Sequence, residues 1–139
     1  MLTPTRILSA QIPAGTYAVG DPCLLLSDSE SDELFAAHNP DTLIRTFASG
    51  LRLILLESPG GDGWLIDDQG GLYAIDTGFL AVMPLSDPVP LRIVEAAACC
   101  VVHLYHFADE AMVVLSAGSL GSGTKELKVG GLTIKREEE

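Results

Sequence analysis

Residues 60–84 read GGDGWLIDDQGGLYAIDTGFLAVMP, and this stretch decides the fold. Acids and glycines recur where a backbone must turn: Asp62-Gly63, Asp67-Asp68, Gly70-Gly71, Asp76 and Gly78. Between them stand Trp64, Ile66, Leu72, Tyr73, Ile75, Phe79 and Val82, residue types that suit a pleated, half-buried surface. The pattern predicts two short strands joined by a tight turn, then a third strand entered through Asp76-Thr77-Gly78.

Strand signals continue on both sides of this stretch. Leu51 to Glu57 is apolar and β-like with Arg52 exposed, and Ser58-Pro59-Gly60-Gly61 forms a loop behind it. Thr16 to Val19 is a short strand, broken by Gly20-Asp21-Pro22-Cys23, where Pro22 holds Asp21 extended. Leu24 to Leu26 then resumes as buried chain, and Ile7 and Leu8 suit an edge strand. Ser27 to His38 predicts the one N-terminal helix, capped by Asp28 or Ser29 with acids in its first turn. A short helical turn follows over 41–47, with Leu43, Ile44 and Phe47 inward. Further on, Leu91 to Val94 opens a strand. Ala96 to Phe107 predicts a long central one, in hairpin with Met112 to Ser116 through Asp109-Glu110. A last hairpin turns at Gly130-Gly131 and sets Leu127 and Val129 against Leu132 and Ile134. Strand signals at intervals of roughly 10 residues predict a mainly β (α+β) fold, an antiparallel β sandwich or barrel-like sheet with one N-terminal helix.

The chain has 139 residues, which suits a single domain over 1–139 that folds without disulfide or metal. No apolar run reaches the ~18 residues that span a bilayer, so no membrane is expected. No leader-like stretch opens the chain, and the expected location is cytoplasmic. The three cysteines, Cys23, Cys99 and Cys100, are read as reduced, mostly buried and apolar, with no metal or cofactor implied. A net charge of −11 disfavours nucleic acid and suits a basic protein partner or a cation. Long apolar strands make a homo-oligomer plausible.

Two stretches together resemble a known group. Gly15-Thr16-Tyr17-Ala18-Val19-Gly20-Asp21-Pro22-Cys23 is similar to the G-x-Y-x-x-G-D-P-C opening of small phage and bacterial proteins of uncharacterised function. Gly61-Asp62-Gly63, Asp67, Gly70 and residues 73–84 resemble that group's second motif, G-D-G and then Y-x-V-D-x-G with a later proline. The resemblance covers about a quarter of the chain. It implies a small β-rich fold of phage or prophage origin, and no activity.

The candidate ligand-binding residues are Asp21, Asp62, Trp64, Tyr73 and Asp76. Asp21, Asp62 and Asp76 each flank a glycine or proline at a strand end. Should the two motifs meet, the three carboxylates would suit a hard divalent cation or acid/base work. The competing structural role is an aspartate accepting nearby backbone N–H groups to fix a turn, and Asp67-Asp68 is assigned to that role. Trp64 and Tyr73, with Tyr17 and Phe79, are either pocket lining or β core.

On one strand, Cys99/His103 and Cys100/His106 would split onto opposite faces, which disfavours a four-ligand zinc site. Partners four or six apart on a strand lie roughly 13 or 20 Å apart, too far for a Cys–His nucleophilic pair, although Cys23 stays open to either histidine. The glycine-rich runs at 60–63 and 118–123 lack the following helix and lysine of a phosphate loop. The expected function is a non-enzymatic binding protein for a protein partner or small ligand. The alternatives are a carboxylate-based, metal-dependent hydrolase and a virion structural component.

Overall fold

The hairpin anticipated at residues 63–75 is present in the computed structural model, which describes residues 6–36, 43–58, 63–85, 89–99, 101–117 and 125–136. Strands β5 (Gly63–Asp67) and β6 (Leu72–Ile75) pair antiparallel, with Trp64 opposite Ala74 and Ile66 opposite Leu72. Gly70 turns the chain at φ +87°, a conformation that side-chain-bearing residues rarely adopt. The third strand, β7 (Phe79–Pro84), does not extend the hairpin. It enters a second sheet, between β4 (Arg52–Glu57) and β2 (Gly15–Gly20).

The remaining strands are β1 (Arg6–Ile12), β3 (Ile44–Thr46), β8 (His103–Phe107), β9 (Ala111–Ala117), β10 (Lys125–Val129) and β11 (Leu132–Arg136). The fold is mainly β. One antiparallel sheet has the order β1-β9-β10-β11-β5-β6, the other β3-β4-β7-β2-β8. Both sheets feed one apolar cluster: Val19, Ile54, Leu56, Leu80 and Val82 from the five-stranded sheet meet Leu65, Tyr73, Val113, Leu127 and Ile134 from the six-stranded one. The opposite face of the five-stranded sheet, with Ala18, Leu53, Leu55, Ala81 and Met83, is covered by Leu25, Leu34 and Ile93 from helices. Because β2, β4 and β7 are buried on both faces, their sequences run apolar without alternation. The β10–β11 hairpin has the expected facing pairs, Leu127 with Ile134 and Val129 with Leu132. Edge strand β1 is as anticipated.

Among the described residues three helices stand where one was expected: α1 (Pro22–Leu25), α2 (Asp28–Ala36) and α3 (Leu91–Ala98). Helix α1 forms because Pro22 fixes the first helical φ and Asp21 caps it, so Leu24 to Leu26 is not simply extended buried chain. Helix α2 is capped by Ser27, one residue earlier than anticipated. The Glu30 N–H donates to Ser27 Oγ (3.3 Å) and the Ser27 N–H to Glu30 Oε1 (2.9 Å), a reciprocal capping box.

Helix α3 occupies what was read as the start of two strands. Leu-Arg-Ile-Val-Glu-Ala-Ala-Ala combines strong helix formers, and a short apolar run alone does not distinguish helix from strand. Arg92 Nε of α3 donates to the Leu25 carbonyl (3.1 Å), pinning α3 to the end of α1.

Two further expectations fail for topological reasons. The 41–47 segment gives strand β3, where β-branched Ile44 and Thr46 alternate with Arg45; residues 41–42 lie outside the described residues. Strand β8 is an edge strand rather than a long central one, and it does not pair with β9. It pairs with β2, while β9 pairs with β1 and β10, so Ala108-Asp109-Glu110 carries the chain from one sheet to the other. Phe107 and Ala111, at the ends of this link, both pack on the shared core, an arrangement that the turn chemistry of Asp109-Glu110 does not encode. Among the described residues no helix is long and apolar enough to cross a membrane.

Candidate functional site

The two motifs do meet, through Asp21. Its side chain is fully buried and accepts four donors. The Cys23 N–H reaches Oδ1 at 2.8 Å, the cap of α1, and the Asp76 and Thr77 N–H groups reach Oδ2 at 2.7 and 2.9 Å. The Thr77 hydroxyl lies 3.1 Å from both oxygens. Asp21 therefore binds the β6–β7 loop to the start of α1, across 55 residues of sequence. What Asp76 brings to this junction is its backbone N–H, not a second carboxylate ligand, and its side chain is exposed. Asp62 lies outside the described residues.

Trp64 and Tyr73 part company. Trp64 stands 49% exposed on the outer face of the six-stranded sheet, near Leu72 at 37%. Tyr73 is fully buried on the inner face. Its hydroxyl donates to Asp67 Oδ2 at 2.6 Å, and the Tyr105 hydroxyl reaches the same oxygen at 2.9 Å; the two hydroxyls are 2.7 Å apart. The Gln69 and Gly71 N–H groups complete the site at Oδ1, at 2.9 and 2.8 Å. Asp67 does hold the turn, as its sequence position indicated, but it also ties β6 to β8 across the two sheets. A Cβ at Gly71 would come within 2.6 Å of Oδ2, so only glycine admits the carboxylate this closely. His103 extends the junction: its Nε2 is 2.7 Å from the Leu72 carbonyl, and its ring meets Tyr73 edge-on at 4.6 Å.

Electrostatics marks this junction as structural. Burial raises the Asp67 carboxyl, yet the hydrogen bonds from Tyr73, Gly71, Tyr105 and Gln69 outweigh it, and its pKa lies below the ordinary value. Burial, then the contacts with Asp67 and Tyr105, raises Tyr73 well above an ordinary phenol. Burial also pushes Tyr105 up to about 12, with the Asp67 bond adding and the Tyr73 bond opposing. Near neutral pH the site holds one carboxylate and two phenols, with none of them poised to exchange a proton.

The cysteine and histidine arrangements do not assemble. Cys23 and Cys99 are exposed, not buried as expected; Cys99 ends α3 and so does not share a strand with His103, and Cys100 lies outside the described residues. His106 takes the opposite face of β8 from His103 and meets Thr16 Oγ1 at 3.0 Å. Partial burial, then the hydrogen bond and charge of Asp21, pushes the Cys23 thiol up to about 12, the reverse of nucleophile activation. Among the described residues no three His, Cys, Asp or Glu side chains form a metal-binding group.

A feature that the sequence did not flag is a half-open cleft of about 170 Å³ beside β3 and the end of β1. Ile12, Pro13, Tyr17, Ile44, Leu53, Ile54, Val82 and Pro84 line it, with Gln11 and Arg52 as its polar members. The Tyr17 hydroxyl donates to the Pro13 carbonyl at 2.7 Å and so is already satisfied in the wall. The Gln11 amide bonds to Glu110. Ile44, expected inward with Leu43 and Phe47, is instead 39% exposed at the sheet edge, because residues 44–46 form a strand and not a helical turn. Comparison with protein families, curated proteins and solved structures finds no match, so the functional reading stands on this geometry.

Proposed function

We propose that this chain is a non-enzymatic binding domain that takes a small, largely apolar ligand in the cleft lined by Ile12, Ile44, Ile54 and Val82. The observation that carries this is the cleft itself: a concave apolar wall with two polar groups, the usual composition of a small-ligand site. Of the carboxylates that a metal-dependent hydrolase would use, Asp21 already accepts four donors, Asp76 brings its backbone N–H to that junction, and Asp62 lies outside the described residues. In the same reading the two sheets form a β sandwich with one helix-covered outer face, and the protein works in the cytosol, which free Cys23 and Cys99 support. A phage or prophage origin rests on the two motifs that carry the resemblance.

Titration with a neutral probe, benzyl alcohol, followed by methyl NMR tests the cleft. The expected result is saturable shifts centred on Ile12, Ile44, Ile54 and Val82, abolished by Ile44→Phe, which fills the mouth from an exposed position. Shifts spread over the surface, or unchanged in Ile44→Phe, would overturn the assignment.

A second reading, self-association of two copies, has its own support. Trp64 and Leu72 are exposed on one face of the β5–β6 hairpin, which half-buried Ile66 and Ala74 share. Sedimentation of the wild type against Trp64→Lys checks it: a concentration-dependent dimer lost in the variant supports this reading, and a monomer at every concentration removes it.

A further inference from the structure

The ligand class follows from the polar member of the cleft, and this step rests on the binding function proposed above. Arg52 opens β4, and by strand alternation it shares the face of Ile54 and Leu56, which point into the shared core. Arg52 thus lines the apolar cavity rather than the helix-covered side. Gln11, the other polar lining residue, already donates to Glu110, and among the described residues no carboxylate pairs with Arg52.

We propose that the cleft is a monocarboxylate site, with the ligand's carboxylate on Arg52 and an apolar body of about ring size against Ile12, Ile44, Ile54 and Val82. The planar guanidinium presents paired N–H donors that match a carboxylate in bidentate fashion. One guanidinium balances one negative charge, which matches a monocarboxylate. The size of the body follows from the volume, about 170 Å³. An apolar protein cavity of roughly 150 Å³ accepts benzene. A benzoate or a branched short-chain acid matches this volume.

The test compares benzoate with benzyl alcohol, two probes of similar body that differ in charge, on wild type, Arg52→Gln and Ile44→Phe. Equal melting temperatures of wild type and Arg52→Gln establish that the exposed substitution leaves the fold intact. The expected result is that benzoate binds the wild type more tightly than benzyl alcohol. Arg52→Gln should weaken benzoate by about tenfold and leave benzyl alcohol unchanged. Equal binding of both probes, unaffected by Arg52→Gln but lost in Ile44→Phe, would overturn the carboxylate class while leaving the cleft as a binding site. Binding of neither probe would overturn both. Equal weakening of both probes in Arg52→Gln would make Arg52 a wall residue and also overturn the proposal.

Discussion

Asp21 and Asp67 are both buried aspartates at strand ends, both accept four donors, and they hold different things. Asp21 gathers backbone N–H groups from Cys23, Asp76 and Thr77 with one hydroxyl, and so fixes the path of two loops. Asp67 takes two N–H groups of its own turn and two phenols, and so fixes the approach of two sheets. The difference lies in what is left behind when the carboxylate goes. Backbone donors cannot be re-aimed, whereas phenols bonded to each other keep a partner. Losing Asp21 should therefore cost more, although the two carboxylates satisfy equal numbers of groups.

The largest effect expected is from Asp21→Ala. It leaves the Asp76 and Thr77 N–H groups without their acceptor and removes the α1 cap. The expected loss is on the order of 3 kcal/mol in urea unfolding, with the slope of the transition unchanged. A loss equal to that of Asp67→Asn would break the distinction drawn between backbone and side-chain donors.

Asp67→Asn comes next, at about 2 kcal/mol near neutral pH. Its pH dependence tests the same junction. The folded-state pKa of Asp67 lies below the unfolded value, so the stabilisation is complete above the unfolded pKa and fades as pH falls through the folded one. Wild-type stability should drop below pH ~4, and that part of the drop should be missing in Asp67→Asn. Parallel acid profiles for the two proteins would mean that the carboxylate is not the group titrating.

The phenols give a smaller effect of opposite pH sense. Tyr73→Phe should cost about 1–1.5 kcal/mol, because Tyr105 still donates to Asp67. Tyr73 and Tyr105 both have raised folded-state pKa values. Their contribution is therefore fully present below the ordinary phenol value of about 10 and is lost as pH rises toward about 12, where Tyr105 titrates. Burial raises Tyr17 as well, so all three tyrosines of the chain resist ionisation while it stays folded. Ultraviolet titration should accordingly show tyrosinate appearing together with unfolding rather than before it. A phenol that ionises at its ordinary pKa in the folded protein would sink this account of the network.

These two junctions also mark where the sequence was legible. Local chemistry was readable: Gly70 and Asp67 announced the β5–β6 turn, Pro22 announced the break at Asp21, and Gly130-Gly131 announced the last hairpin. Long-range partners were not. Nothing in Asp67-Asp68 indicates a bond to Tyr105, 38 residues away, because the tyrosine's role depends on which sheet β8 joins. Asp109-Glu110 does not encode that choice, because its turn composition is the same whether the chain folds back or crosses over. The apolar runs failed for another reason. Residues 91–98 and 101–107 carry little polar alternation, so helix and strand patterns are degenerate there, and alanine content was the deciding feature. The cleft was invisible for want of any motif, since its residues come from five strands and a turn.

The smallest expected effect supplies the local reference against which Asp21 is measured. Ser27 caps α2 with contacts that span only three residues, so Ser27→Ala removes one local acceptor and no tie between distant segments. The expected cost is about 1 kcal/mol, the ordinary cost of losing a serine cap. Glu30 keeps its bond to the Ser27 N–H and its contact with Arg92 at 3.4 Å, so the helix start should survive. The excess of Asp21→Ala over Ser27→Ala then measures the long-range part of the Asp21 junction, about 2 kcal/mol. Equal losses would reduce Asp21 to another helix cap and make the contact with Asp76 and Thr77 a consequence of packing rather than a cause of it.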